Sequence, residues 1–481
     1  MGFKFVLLWT DVVLWLMVAA ALGHAFRLRR RPEQRATWMK VLRDPAALSA
    51  GLVLALFVAV ALLDSVHYRR ELAPTASAAA DQPAYFETRT ESLLERALAR
   101  QVGMREVSWS APLATHALTK EVVETPEGTR RDWPRLLHGG VHLTDPAADW
   151  RGDVLARSAR GALGGLAVFT LVALGVAAGL ARATQVTLRA AFGDLVRDRT
   201  TLPLRSLLAT VLVLCLAAGP VVALMDVYHV FGTDRTGNDV LVQALRSIRT
   251  AFVIGTLSTL ATLPFAVGLG VLGGYLGGWV DEAIQYLYTV LSSVPNVLLI
   301  AACVLMVQVF LDKHPDLFET GAERADLKVF LLCAILGITG WATLCRLVRG
   351  ETLKLRELDF VQAATAFGVS RTRIMLRHIV PNVMHLVLIT TVLNFSDLIL
   401  YEAVLTYVGV GVDPSTSSFG GMINLARTEM SRDPVVWWSF VAAFAFMVAL
   451  VLAANLFADG VQDAFDPRSR RVRPRLRRVA P

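Results

Sequence analysis

Long apolar blocks alternate with charged segments along the whole chain. Scanned with a window of about 19 residues, about nine blocks reach the roughly 20 residues needed to cross a bilayer. They lie near 3–25, 46–66, 161–182, 205–225, 248–275, 284–311, 328–347, 383–405 and 436–457. The pattern predicts an all-α, polytopic transmembrane bundle. The block at 328–347 is the weakest, with Lys328 and Arg346 at its edges, and the glycine-rich block at 248–275 is long enough to tilt or bend. The first block holds Lys4 and Asp11, and most of the basic residues follow it rather than precede it. It therefore reads as a retained span and not as a signal peptide.

The loops set an orientation. Basic residues gather between the first two spans (Arg27, Arg29, Arg30, Arg31, Arg35, Lys40, Arg43) and around the linker before the fourth (Arg182, Arg189, Arg197, Arg199). They gather again between the seventh and eighth spans (Arg346, Arg349, Lys354, Arg356, Arg371, Arg373, Arg377) and in the tail from Arg468 to Arg478. With nine spans all four regions fall on one side, which the positive-inside rule makes cytoplasmic. The N-terminus is then outside and the C-terminus cytoplasmic. Residues 68–158 form an external insert whose arginines do not conflict, because long translocated segments largely escape the charge rule. Within it, 73–84 reads as an Ala/Pro/Ser linker, 90–101 as an amphipathic helix with Leu93, Leu94, Ala97 and Leu98 at helical spacing, and Pro126-Glu127-Gly128 as a turn.

Composition agrees. Hydrophobic residues make up 54% and charged residues only 18%, against about a quarter charged in soluble proteins. The net charge of +8 sits beside apolar blocks, so it points to anionic lipid and not to nucleic acid. Cys215, Cys303, Cys333 and Cys345 lie within apolar blocks and form no CxxC pair, which leaves them as small packing residues. The nine histidines show no metal-ligand spacing. A faint repeat links Val41-Leu42-Arg43-Asp44, a span and Leu63-Asp64-Ser65-Val66-His67 with Leu195-Val196-Arg197-Asp198, a span and Met225-Asp226-Val227-Tyr228-His229, by duplication or by convergent chemistry at membrane edges.

The segment 350–382, between the seventh and eighth spans, carries the most information. Residues 351–367 are strong helix formers with an apolar stripe at Leu355, Phe360, Ala363, Ala364 and Phe367. Gly368 supplies the backbone freedom that ends a helix, Ser370 is placed to cap a second helix over 371–378, and Pro381 marks a break before the next span. A helix pair with an apolar face and a cationic rim suits either docking of a soluble partner or self-packing.

Gln362-Ala363-Ala364, Gly368 and His378-Ile379-Val380-Pro381-Asn382 resemble the EAA loop of inner-membrane permeases of binding-protein-dependent ABC importers, which carry a MetI-like transmembrane domain. The ending is similar to the C-type permease subunit of the dipeptide/oligopeptide branch. Three further segments resemble that branch. Phe231 to Val240 (FGTDRTGNDV) is similar to its GTDxxGRDV segment, Glu402 to Val412 (EAVLTYVGVGV) to its EAxLSFLGLGV segment, and Asp463 to Arg468 (DAFDPR) to its terminal DALDPR. Gln362 stands where the motif has glutamate, and Asn238 where arginine is usual. The likeness covers about 205–468.

The resemblance implies a type I ABC importer permease core with an extra N-terminal part. Residues 1–67 hold two spans and a basic loop, 68–158 the insert, and 159–204 the third span with its linker. Residues 205–247 hold the first core span and the GTD segment, 248–460 the transmembrane core, and 461–481 a basic tail. The implied function is import of peptides, with nickel chelates or another small solute as alternatives. A membrane receptor sensing through 68–158 is a reading of a different class, and no cytoplasmic loop is long enough for its output domain. The implied partners are a second, B-type permease subunit, two ATPase subunits, an external substrate-binding protein and membrane lipid. The expected location is the bacterial inner membrane. ATPase contact would fall on Gln362, Ala363, Ala364, Gly368, Arg371 and Arg373, with His378 and Pro381 as positional residues. The sequence has no GxxxxGK[ST] and no Gly-Lys pair, so no ATP site or other cofactor is expected on this chain. The glycines from Gly268 to Gly278 read as close helix packing. Polar candidates for the pathway are Ser292, Ser293 and Asn296 in the sixth span and Asn394, Ser396, Asp397 and Glu402 in the eighth, since intramembrane acids usually face a cavity or a partner. For the last two, a purely structural role competes.

Overall fold

A computed structural model describes residues 3–30, 32–72, 86–125, 128–318 and 320–465. The first half holds β1 (Phe3–Val6), α1 (Trp9–Arg30), α2 (Pro32–Val41), α3 (Pro45–Asp64), β2 (His67–Arg70) and β3 (Glu91–Ser92). It continues through α4 (Leu93–Ala97), α5 (Ala99–Gly103), β4 (Glu121–Thr125), β5 (Gly128–Asp132), α6 (Pro146–Thr184), α7 (Leu188–Val196) and α8 (Leu204–Leu224). Then come α9 (Val240–Leu276), α10 (Gly278–Ser293), α11 (Asn296–Lys313), α12 (Gly321–Gly340), α13 (Ala342–Arg356) and α14 (Asp359–Ala366). The last elements are α15 (Arg371–Ile374), α16 (Val380–Tyr407), α17 (Phe419–Glu429) and α18 (Trp438–Phe465). Among the described residues eight helices are long and apolar enough to cross a membrane, or up to nine if α12 and α13, bent by 43°, make one span.

Polar caps set many helix starts. Asp44 Oδ1 accepts from the amides of Ala46 and Ala47 ahead of α3, and Asp145 does the same for Ala147 and Ala148 ahead of α6. Both precede a proline at the first helical position, where no amide partner is needed. Several expected boundaries move. The first span starts at Trp9, because residues 3–6 pair with β2 instead, in the antiparallel register Phe3↔Arg70 to Val6↔His67. That ladder brings the start of α1 and the end of α3 together. The expected span at 284–311 is broken. Val294 is extended, at φ −93° and ψ 133°, as the residue before a proline tends to be, and α11 starts just past Pro295. The expected helix over 90–101 gives way to β3, α4 and α5, since Glu91 and Ser92 join β2 in a ladder. Residues 73–84, 126–127 and the basic tail lie outside the described residues.

The chain divides into two compact units. The first comprises Met1–Arg27, Val58–Leu93 and Ser247–Asn424. One of its apolar cores joins Val253, Ile254 and Leu257 of α9 to Ile300, Val329, Leu332, Leu336 and Leu405. Beside it lies a buried polar cluster. Arg249 of α9 donates to Asp11 Oδ1 of α1 from Nε (2.9 Å) and from an outer nitrogen (2.6 Å), and also to Thr10 Oγ1 (2.9 Å). Asp326 of α12 lies 3.6 Å from the same guanidinium and accepts from the Thr10 amide and hydroxyl. His67 Nδ1 meets the other Asp11 oxygen at 2.8 Å. Each charge is paired, which is what lets the cluster sit buried.

The second unit comprises Leu28–Phe57, Leu94–Arg246 and Leu425–Pro481. Its α6 and α8 approach backbone to backbone. A Cβ on Gly165 would overlap the Cys215 carbonyl, and one on Gly161 would overlap that of Gly219. The same unit packs α2 and α3 on α18, with Trp38 edge-on to Phe465 at 5.8 Å and Gly460 pressed on Ala47.

Replacing Arg249 by Ala would strand two buried carboxylates. We expect a loss of about 3–5 kcal/mol, read as a lower thermal midpoint of the full chain in detergent, with the α1 segment the first to become protease-sensitive. An unchanged midpoint would contradict a structural role for the cluster.

Candidate functional site

The loop expected to meet a partner is built on the seam between α9 and α13. A Cβ on Gly270 would lie 2.8 Å from Val348 Cβ and 2.9 Å from the Cys345 carbonyl. One on Gly274 would lie 2.6 Å from Thr352 Cβ and 2.8 Å from the Arg349 carbonyl. These glycines let two helices touch through their backbones. Arg349 then clamps Asp281 of α10 with both ends of its fork, at 2.5 and 2.7 Å.

The expected single helix over 351–367 is two helices, because Leu358 is extended (ψ 144°). In one continuous helix Leu355 and Val361 would point about 120° apart. The break turns both onto one core, with Val361 fully buried among Leu344, Val348, Ile374, Ile379 and Val383. The outer face therefore differs from the expected stripe. Ala364 packs inward, while Phe360 is 43% exposed and Phe367 87% exposed. Gly368, at φ +73°, ends α14. The Gly368 amide donates to the Thr365 carbonyl and the Val369 amide to that of Ala364, the Schellman pattern that a left-handed glycine permits. Gln362, Ala363, Arg371 and Arg373 are exposed. Gln362 donates to the Glu357 carbonyl at 3.1 Å. Ser370 sits at the cap position of α15 without a side-chain cap bond.

Pro381 does not break the chain before the span, as the sequence suggested. The helix runs on from Arg371 to Tyr407 through a π-turn at Met375–Ile379. A proline removes one i→i−4 bond and crowds the carbonyl four residues back. The wider turn accommodates it, and Asn382 Nδ2 takes the His378 carbonyl at 2.6 Å. His378 itself lies tilted beside Phe360, ring centroids 6.2 Å apart.

The pathway candidates scatter. Ser292 and Ser293 are exposed at the end of α10, and Asn296 is half-buried at the start of α11. On α16, Asn394 is half-buried, Ser396 buried and Asp397 exposed. Glu402 is 2% exposed. It accepts from Thr406 Oγ1 at 2.8 Å and also engages Ser418 and the Gly420 amide at the start of α17. Its carboxylate is thus satisfied within the protein. Among the described residues no group of three or more His, Cys, Asp or Glu side chains is placed to hold a metal ion.

Sequence reasoning missed a second polar centre, in the other unit. The GTD segment turns tightly at Gly232 (φ +70°) and Gly237 (φ +76°). Asp234 Oδ1 accepts from the amides of Thr236 and Asn238, and Asp239 caps α9 through the Leu241 and Val242 amides. Thr233 is fully buried between the Ser108 carbonyl, Ser110 and Trp438, whose indole donates to the Thr233 carbonyl at 2.9 Å. His229 lies buried between Asp239 (2.8 Å) and Glu106 of the insert (3.3 Å). Glu106 also accepts from the amides of Leu137, His138 and Gly139. Burial alone would lower the His229 pKa, but the bonds to Asp239 and Glu106 outweigh it and raise it to about 9. Burial would raise that of Glu106, yet the bonds from His229 and the three amides bring it down to about 2.

The signs fix a pH window. The stabilisation from His229 is complete below its unfolded value, near 6.5, and is lost as pH rises through about 9. That from Glu106 is present above about 4.5 and is lost as pH falls through about 2. Hydrogen exchange at Leu137 to Gly139 in the intact protein should accelerate beyond its intrinsic pH trend above pH 9, and His229→Gln should abolish that excess. Equal excess in both proteins would remove His229 as the cause.

Residues 266–471 match the family described as binding-protein-dependent transport system inner membrane component. The oligopeptide transport system permease protein OppC of Mycobacterium tuberculosis is 32% identical over 249 residues, 52% of this chain and 79% of that protein. OppC of Escherichia coli is 31% identical over 246 residues, 51% and 74%. The dipeptide transport system permease protein DppC of Lactococcus lactis is 29% identical over 241 residues, 50% and 64%. A solved inward-facing MetNI methionine ABC transporter aligns with 47% of this chain and 96% of its own at 16% identity, with a TM-score of 0.34. With nearly four-fifths of an OppC spanned at 32% identity, this multi-pass chain belongs to the inner-membrane components of binding-protein-dependent transport systems and is a transport permease, not an enzyme.

Proposed function

We propose that the chain is one of two permease subunits of an ATP-driven peptide importer and that the 350–382 loop receives the motion of a separate ATPase. The observation that carries this reading is the loop's two faces. Val361, Ile374 and Ile379 lock one face to α9, α13 and α16, while Phe367 stands 87% exposed and Arg371 and Arg373, four and six residues on, are exposed too. Large exposed apolar side chains rimmed by charge mark interaction sites. A partner that seats Phe367 and pairs its acids with the arginines would move the loop as a rigid body with its helices. ATP is then hydrolysed on the partner, and this chain needs no resident cofactor. An external binding protein delivers the substrate to the face opposite the loop. On this reading the N-terminus is outside and the loop cytoplasmic, as the basic loops demand.

Peptide as cargo rests on the likeness to oligopeptide and dipeptide permeases. In the pathway, Asn394 and Asp397 lie three residues apart on α16 and so on neighbouring positions of one face. Asp397, exposed where Glu402 is engaged, is the acid available to a peptide amine.

Phe367→Asp in the co-expressed importer should prevent co-purification of the ATPase and reduce substrate-stimulated hydrolysis at least tenfold. Gly368→Val, which forces a branched residue into a left-handed conformation at a cost of about 1–2 kcal/mol, should weaken coupling while leaving the spans folded. Normal co-purification and normal stimulation in both variants would refute the docking role.

A further inference from the structure

The connection between α6 and α8 is longer than two adjacent spans require. It holds a separate helix, α7, capped at its start by Thr187, whose Oγ1 accepts from the Ala190 amide. Successive residues of a helix point about 100° apart, so Ala191, Leu195, Leu188, Phe192 and Val196 form one continuous apolar arc. Half of that arc is used. Ala191 and Leu195 are 0% and 3% exposed, where α7 packs on α6 and α8. The other half is not covered, since Leu188, Phe192 and Val196 are 50%, 49% and 58% exposed. Arg189 flanks that open edge, and Arg197 and Arg199 follow the last turn, all three exposed. Asp194 points away from that open edge, about 160° from Phe192 and from Val196.

Position narrows what covers the open half. α7 starts four residues after Thr184, where one span ends, and stops eight residues before Leu204, where the next starts. It therefore lies at the level where hydrocarbon gives way to headgroups. Its packed neighbours carry exposed Leu171, Leu174, Val213 and Leu216, as lipid-facing spans do. A short helix with an apolar stripe and arginines along its edge matches a surface that is greasy below and anionic above.

We propose that α7 is an interfacial helix whose Leu188, Phe192 and Val196 face is covered by phospholipid acyl chains, with Arg189, Arg197 and Arg199 holding anionic headgroups. The inference stands apart from the coupling reading, because it concerns the other unit and does not depend on which leaflet α7 meets. One consequence is that α6 and α8, which bury little of their own surface in the protein, are anchored at one end by lipid chemistry.

The test places a photo-reactive benzoylphenylalanine at Phe192 in the full chain, reconstituted in vesicles of phosphatidylethanolamine and phosphatidylglycerol. Irradiation should give adducts with the mass of phospholipid, with phosphatidylglycerol enriched severalfold over its share of the vesicle. The same probe at Ala191 should cross-link within the chain. Arg189→Gln, Arg197→Gln and Arg199→Gln together should bring the phosphatidylglycerol share back to that of the bulk lipid while lipid adducts persist. Adducts to another polypeptide in native membranes, or no lipid adduct at all, would overturn the proposal. An unchanged headgroup share in the triple variant would overturn the assignment of the arginines. Should the triple variant fail to fold, Arg189→Gln alone, with about a third of the effect, serves instead.

Discussion

Backbone contact between α9 and α13 is the constraint on which the rest of the loop depends. Gly270 and Gly274 bring α9 against Val348, Thr352 and the carbonyls of Cys345 and Arg349. No residue with a side chain fits there without displacing a backbone. Because the helices meet at that distance, Val361, Ile374 and Ile379 find a closed core to enter, and the fork of Arg349 reaches Asp281. A loop resting on a loosely packed pair would absorb a push from below. Packed interiors do not deform continuously, so this loop is held rigidly to its helices.

The sequence made much of this readable, and the losses have physical causes. Hydropathy located the spans because hydrocarbon demands long apolar runs. It missed the break at Pro295 because a window averages over one residue. Gly368 was legible as a stop because few residues tolerate its backbone angles. The stripe was not, because Phe360 and Phe367 look like core residues to any periodicity argument. Only the turn at Leu358, which swings Val361 inward, shows that they face out. Likewise the ligand-free spacing of His229 hid its role, since Glu106 is more than a hundred residues away and its nearer partner, Asp239, read as part of a motif.

The N-terminal addition is bound in by polar chemistry. Asp11 was visible as an acid within an apolar run, whereas Arg249, inside the span expected at 248–275, was not singled out. Neither made sense alone. Together with Thr10, Asp326 and His67 they form a network in which removal of one member exposes the others. The faint repeat gains a partial structural echo. His67 bonds Asp11, and His229 bonds Asp239, each through Nδ1 at 2.8 Å. Asp44 caps its helix while Asp198 does not cap α8, whose cap position is Pro203, so the likeness stops at one end.

The π-turn at Met375–Ile379 has a geometric consequence. One additional residue in a turn advances everything after it by about 100° around the axis. The face of α16 that carries Val383 and Val387 into the core is therefore phased by the turn, not by α15. Asn394, Asp397 and the exposed edge of the span inherit that phase. The His-Ile-Val-Pro-Asn ending is thus a rotational setting of the helix, with proline forcing the wide turn and Asn382 taking the carbonyl beside it. A span whose azimuth is set at its root can turn its polar edge by migration of a single bulge, with no change in length and no break in the helix.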